Sequence, residues 1–427
     1  MKKIICILLA LVLVIAVFAT GCAENETEET EEEAEEEIFS AETLEYYAGL
    51  GLEGTTLNVY NWGEYIDDEE IDVISQFERL TGCEVNYTTF ESNENMYSKL
   101  SGGGVSYDII IPSDYMIERL IKEGMLVELD YDNIPNYDKY FDKEDYGYFV
   151  DDEINGHTIE DYGIIYNVGT TILIYNTDYI KEKPDSWSIL WDEQYKGKVL
   201  MFNNPRDSFA IAQAMLGQDF NSESIEDWDA AANLLLEQRQ KVKPTYVMDE
   251  IFNLMESGDY YLGVYYAGDF ELMRSDLEEK GKDFLDYAFP KEGVNTFYDA
   301  MCIPNSTQNK KGAEAFINFM LEPEVALANA EYIYYATANK AVLENEDYSL
   351  AESEAVYPPE ELIANAQQFH DISSENLQYM STLWMKVKGT SGSGVLYIVF
   401  FSCIAAVVVV IIITALKKKR MKKYYNI

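Results

Sequence analysis

Strand-like and helical apolar patterns alternate between residues 57 and 124, and no other feature limits the fold of this chain as tightly. LNVYNW (57–62) reads as a strand. EEIDVISQFERLTG (69–82) has helical periodicity and stops at a glycine. CEVNYTTF (83–90) alternates like a strand, and SNENMYSKLSGGG (92–104) opens on a good N-cap, Ser92, and ends in glycines. YDIIIPS (107–113) has the continuous apolar character of a buried strand, and DYMIERLIKEG (114–124) is helical again. Such a repeat builds a parallel sheet with right-handed crossovers, and in such sheets ligands sit beyond the carboxyl ends of the strands. Two segments are thereby singled out, Asn61-Trp62-Gly63-Glu64-Tyr65 and Pro112-Ser113-Asp114-Tyr115.

A second unit comes after it. TTILIYN (170–176) leads into VLMFNNPRD (199–207), two helices and YYLGVYYAGD (260–269). TFYDAMCIP (296–304) suits a strand returning to the first unit, and residues 310–333 are helical with a break at Pro323. A chain that crosses more than once between two α/β lobes implies a hinge and a cleft.

The two ends of the chain address it to a membrane. Residues 1–22 carry two lysines, a long apolar run and the closing Ala19-Thr20-Gly21-Cys22, the pattern of a secretory signal whose Cys22 is lipidated after cleavage. An uncleaved anchor is the alternative. Residues 395–416 are apolar or small without a charge, long enough to cross a hydrocarbon core of ~30 Å. Lys417, Lys418, Lys419, Arg420, Lys422 and Lys423 follow at once and place the tail, 417–427, in the cytoplasm. Everything between is then outside the cell membrane. Ten glutamates crowd residues 24–37, so 23–54 reads as an extended acidic linker, and GTSGSG (389–394) as a second linker.

Charge decides which partners suit the exported part. The chain has 77 acidic and 31 basic residues, a net charge of −46. Nucleic acid is excluded as a partner, because phosphate neutralisation needs clustered Lys and Arg, whereas small cations suit such a field. With only His157 and His370 present, His-based catalysis and multi-His metal sites are disfavoured. No cofactor fingerprint or metal-ligand spacing is seen. Cys83 and Cys302 fall in apolar, strand-like stretches and read as buried free thiols, with a disulfide as the alternative.

Residues 55 to 388 resemble the polyamine-binding proteins of periplasmic type, the spermidine/putrescine receptors of ABC importers. The matching stretches include YNWGEYI (60–66), TFESNENMYSKL (89–100), YDIIIPSDYMIERLIKEGML (107–126), DSWSILWDEQYKGKV (185–199), FPKEG (289–293), FYDAMCIPNSTQNKKGAEAFINFML (297–321) and YATANKA (335–341). The resemblance implies a two-lobe α/β periplasmic-binding-protein fold of type II, with crossover strands at the hinge and no catalytic activity. It implies lobe 1 at 55–170 and 298–335, lobe 2 at 171–297, and a helical C-terminal part at 336–388. The acidic linker and the membrane helix lie outside it.

Position by position, the resemblance places ligand contacts at Trp62, Glu64, Tyr65, Ser113, Tyr115, Asp207, Tyr266, Asp269, Phe297, Asp299 and Tyr335. Asn204 stands where spermidine binders can carry a carboxylate, Tyr266 where tryptophan is usual and Gly63 where a hydroxyl residue is usual. Asp269 and Asp299 resemble the diamine-selective branch and Asn204 removes a charge that a third amine could use, so the resemblance favours putrescine slightly over spermidine. The chemistry fits, since each ammonium needs a carboxylate and the methylenes need flat apolar walls that also attract cations. The expectation is a monomeric receptor that passes a polyamine to ABC permease subunits. The alternatives are a receptor for another cationic or metal-containing solute, a polyamine sensor without transport, and an exported glycosidase using paired carboxylates.

Overall fold

The computed structural model describes residues 38–141, 154 and 156–389. Cys22, the expected membrane segment 395–416 and the basic tail lie outside the described residues. Among those described, no helix is long and apolar enough to cross a membrane. The chain divides into two units, Met1–Ser40 and Ala41–Ile427, and the second contains every strand and helix named below.

Its strands are β1 (Thr56–Trp62), β2 (Glu84–Phe90), β3 (Ile109–Ile110), β4 (Gly163–Asn176), β5 (Leu200–Phe202), β6 (Thr245–Val247), β7 (Leu262–Tyr266), β8 (Leu285–Ala288) and β9 (Thr296–Cys302). The main sheet runs β2-β1-β3-β9-β4-β7, with β8 also on β4. β1 pairs in parallel with β2 and β3, as the strand–helix alternation predicts. Helices Val73–Thr81 and Asn93–Ser101 connect these strands, each closed by a side-chain N-cap, Asp72 and Ser92. The rest of this sheet is antiparallel, which the sequence pattern does not foretell: β9 returns against β3, and β4 runs against β9, β7 and β8, while β5 and β6 form a separate parallel pair.

β4 organises the molecule. Residues 163–170 pair with β9, and residues 171–176 pair with β7 and β8. Only Val168 of its fourteen residues is not fully buried. A strand covered on both faces reads as a near-continuous apolar run. Its first half, GIIYNVG, is broken by Asn and Gly, so only 170–176 is recognisable as strand. Gly169 has a specific reason: a Cβ there would fall 2.1 Å from Cζ of Phe297.

The edges of the folded part differ from expectation in two places. The acidic composition extends the expected linker to residue 54, but helix Ala41–Ala48 belongs to the fold. Tyr47 is fully buried, packs edge-on against Phe319 at 5.4 Å and donates to Glu322 Oε1 at 2.9 Å. One buried tyrosine in this segment outweighs its acidic composition. At the other end, the expected helical part 336–388 is helical only at Lys340–Leu343 and Ser374–Lys388. Helix Ser374–Lys388 packs on helix Ile225–Lys241, while the irregular segment between them buries Tyr348, Leu350 and Phe369. Pro323 opens helix Pro323–Ile333 at its first turn and so separates it from Lys310–Met320. Cys83 and Cys302 are both buried and free.

Candidate functional site

The ends of β1, β7 and β9 and the segment after β3 converge on one cavity of about 750 Å³, a volume that includes solvent at its mouth. Trp62 closes β1, and its indole donates to Ile111 O at 2.9 Å, fixing the ring against the neighbouring strand end. Tyr65 follows after two residues of turn. Ser113 stands at the N-cap position of helix Asp114–Lys122 yet makes no capping bond. Its backbone N–H donates to Asn93 Oδ1 at 3.1 Å and its hydroxyl accepts from Asn93 Nδ2 at 3.0 Å. A helix cap would have been the bland role for this serine; the asparagine bracket holds it at the cavity wall instead.

Each of three cavity aspartates is met by a tyrosine hydroxyl. Tyr65 donates to Asp299 Oδ2 at 2.7 Å, Tyr335 to Asp269 Oδ2 at 2.7 Å and Tyr266 to Asp207 Oδ2 at 3.2 Å. Asp207 also accepts from Asn204 Nδ2 at 2.6 Å, and Asn204 Oδ1 caps the helix Pro205–Leu216. The phenols are firmly protonated: burial first, and the adjoining carboxylates second, push Tyr65, Tyr266 and Tyr335 well above their ordinary range. Every contact therefore has the tyrosine as donor, which orients one carboxylate oxygen and leaves the other for a further donor.

The aspartates pay for their position. Burial is the main cause that raises Asp207 and Asp269 to about 7 and Asp299 to about 6, against the tyrosine hydrogen bonds that lower them. Asp114, also in the wall, is raised further by burial. Asp299 is 2% exposed, and its Oδ1 receives no hydrogen bond among the described residues. Unpaired carboxylates out of water are unstable as anions, and a cation brought among them restores the charged form. Among the described residues, the cavity lining contains no Lys, Arg or His. Arg206 stands outside it, its guanidinium 4.4 Å from the ring of Phe369 and 5.5 Å from that of Tyr115.

Aromatic rings form the rest of the wall. Tyr65 packs edge-on against Tyr335 at 5.3 Å, and Tyr266 against Phe297 at 5.3 Å. Tyr115 meets Phe369 at 6.0 Å. Tyr335 reaches Asp269 across Gly268, where a Cβ would lie 2.4 Å from the ring. The arrangement offers acceptors for cations and flat apolar faces for the spacers between them; among the described residues, no three His, Cys, Asp or Glu side chains converge to hold a metal.

Of the residues expected from sequence, Trp62, Tyr65, Ser113, Tyr115, Asp207, Tyr266, Asp269, Phe297, Asp299 and Tyr335 all line this cavity. Glu64 does not. It is exposed and sits in left-handed backbone at φ 48°, which interrupts the strand alternation between Trp62 and Tyr65 and takes it out of the lining. Sequence reasoning missed Asn93, Asp249, Tyr265 and Phe369. Tyr265 precedes Tyr266 on β7, where period-two alternation argues that only one of the pair faces a ligand. Phe369 lies in a segment without periodicity. Only the Asn93 position, just inside the helix after β2, carries a usable signal.

A family model for bacterial extracellular solute-binding protein matches residues 72–355. The spermidine/putrescine-binding periplasmic protein of Escherichia coli is 32% identical over 332 residues, covering 77% of this chain and 90% of the relative. A putrescine-binding periplasmic protein of Pseudomonas aeruginosa is 28% identical over 344 residues, covering 78% and 91%. Among solved structures, a putative spermidine/putrescine ABC transporter from Listeria monocytogenes superposes with a TM-score of 0.71 at 34% identity, covering 79% of this chain and 100% of that one. The spermidine/putrescine ABC transporter substrate-binding protein PotD from Streptococcus pneumoniae gives 0.63 at 33% identity, covering 78% and 99%.

Proposed function

From the premise that the chain belongs to the bacterial extracellular solute-binding proteins, in the group of spermidine/putrescine-binding proteins of ABC transporters, we propose that it is an extracytoplasmic polyamine receptor. It is a binding protein, not an enzyme. The observation that carries the reading is a cavity with three tyrosine-held aspartates, an aromatic wall and no cationic side chain among its described residues. Ammonium groups replace water at Asp207, Asp269 and Asp299, each charge-assisted hydrogen bond contributing ~1.5–3 kcal/mol. The methylenes lie along Trp62, Tyr65, Phe297 and Tyr335, whose faces also attract the cations.

Lobe 1 is assigned to 55–170 and 298–335 and lobe 2 to 171–297, with β4 and β9 as the crossovers. Closure of the lobes on the ligand presents a composite surface to permease subunits. A lipid on Cys22 and a membrane helix at 395–416 anchor the receptor at both ends, which raises its concentration near the permease. Titrating the full chain in detergent with putrescine and spermidine tests the reading: saturable binding of both supports it, and no binding of either refutes it.

A further inference from the structure

Of the cavity carboxylates that take no part in the three ammonium contacts, Asp249 alone is held by a tyrosine hydroxyl among the described residues. Asp249 lies between β6 and helix Glu250–Glu256, the place where an aspartate ordinarily caps the helix. Its side chain caps nothing. Oδ1 instead accepts the hydroxyl of Tyr265 at 2.9 Å. Tyr265 is itself buried, its ring set between Phe202 at 5.5 Å and Tyr266 at 4.9 Å, so the hydroxyl is a fixed donor. This is the same tyrosine–aspartate unit that holds Asp207, Asp269 and Asp299, used a fourth time in one cavity.

The other oxygen is open. Oδ2 accepts no hydrogen bond among the described residues, and a Cβ on Gly63 would lie 3.8 Å from it. A carboxylate from the β6 side thus approaches the end of β1, where glycine leaves room for a ligand atom. Unlike Asp299, Asp249 is exposed to solvent. It therefore gives up little hydration to an incoming ammonium. At the buried side of the same cavity, Oδ1 of Asp299 accepts no hydrogen bond among the described residues. A diamine has two charged nitrogens, and three buried aspartates already exceed that number.

We propose that Asp249, positioned by Tyr265 and facing Gly63, is a further ammonium-accepting residue at the rim of the cavity, and that it selects linear amines with three or more charged nitrogens over diamines. This rests on the polyamine reading and reverses the slight preference for putrescine that the sequence suggests. Asn204 does remove a charge from the inner wall, but Asp249 supplies one elsewhere.

The test is calorimetric titration of the full chain in detergent with putrescine, spermidine and a singly acetylated spermidine, which keeps the chain length but loses one terminal charge. Asp249→Asn weakens spermidine binding by about fivefold, the upper end of what an exposed ion pair contributes, and leaves putrescine and the acetylated amine within about twofold. Tyr265→Phe, which keeps the ring and removes the orienting hydroxyl, shifts spermidine in the same direction by less. Equal losses for all three ligands, or no loss for spermidine in either variant, overturn the proposal while the polyamine reading stands. A parent protein that binds none of the three overturns both.

Discussion

Asp299 shows most clearly what a single residue contributes to the site. It is buried, held by Tyr65 and open at Oδ1. Replacing it with Asn leaves a bound ammonium without its counter-charge, a loss that typically costs ~3–5 kcal/mol. At ~1.4 kcal/mol per decade, Asp299→Asn weakens polyamine binding by at least about a hundredfold in calorimetry. Glu278, an exposed residue paired only loosely with Arg274 at 3.6 Å, serves as control: Glu278→Gln leaves affinity unchanged.

The raised aspartates also set a pH dependence, with opposite signs for stability and for binding. Unfolded aspartates titrate near ~3.9, whereas Asp207 and Asp269 titrate at about 7 and Asp299 at about 6 in the ligand-free fold. Between these limits the folded state binds more protons than the unfolded one. The contribution of these groups to stability is therefore full below the unfolded value and is lost as pH rises through 6 to 7. Binding needs the anions, so polyamine affinity falls as pH is lowered through the same window. Titrations at pH 8, 7 and 6 in buffers of different ionisation enthalpy show weakening affinity and proton release on binding. A flat profile with no buffer dependence contradicts the assignment of these three carboxylates as ligands.

Elements are legible in the sequence to the extent that one physical signal dominates each. The β–α alternation through residue 124 yields helices and parallel strands because apolar period and cap residues agree there, as at Ser92. β4 is only half legible, since Asn167 and Gly169 interrupt its apolar run. Helix Ala41–Ala48 is hidden in an acidic stretch. Most of the cavity wall is legible because its residues sit at strand ends and match a known pattern. Tyr265 and Asp249 escape because a tertiary arrangement overrides, respectively, strand alternation and the capping preference of aspartate. The junction of β7 with helix Ala267–Glu279 tests how closely elements must approach. Gly268→Ala drives a methyl into the ring of Tyr335, so the tyrosine shifts from Asp269. Overpacking of this kind costs ~1–3 kcal/mol. The variant melts at lower temperature and binds polyamine at least about tenfold more weakly, whereas Gly104→Ala, at an open site, does neither.

At the scale of the whole molecule, β4 and β9 are shared by both halves of the sheet, and the cavity is lined from both. In the proposed closure, ligand stabilises the closed form only by the extra contacts made there. Small-angle scattering of the full chain in detergent, with the detergent contrast-matched, shows a smaller protein radius with polyamine than without. An unchanged radius alongside proven binding contradicts closure. The proposed double anchor predicts that truncation after residue 388 combined with Cys22→Ala releases the protein from the membrane fraction, and that each change alone does not. The central claim is that buried carboxylates and aromatic faces together recognise charged amines. Calorimetric titration of the full chain with putrescine, spermidine and the uncharged isostere 1,4-butanediol tests it most directly. The predicted result is saturable binding of both amines and none of the diol; binding of the diol comparable to putrescine, or no binding of either amine, contradicts it.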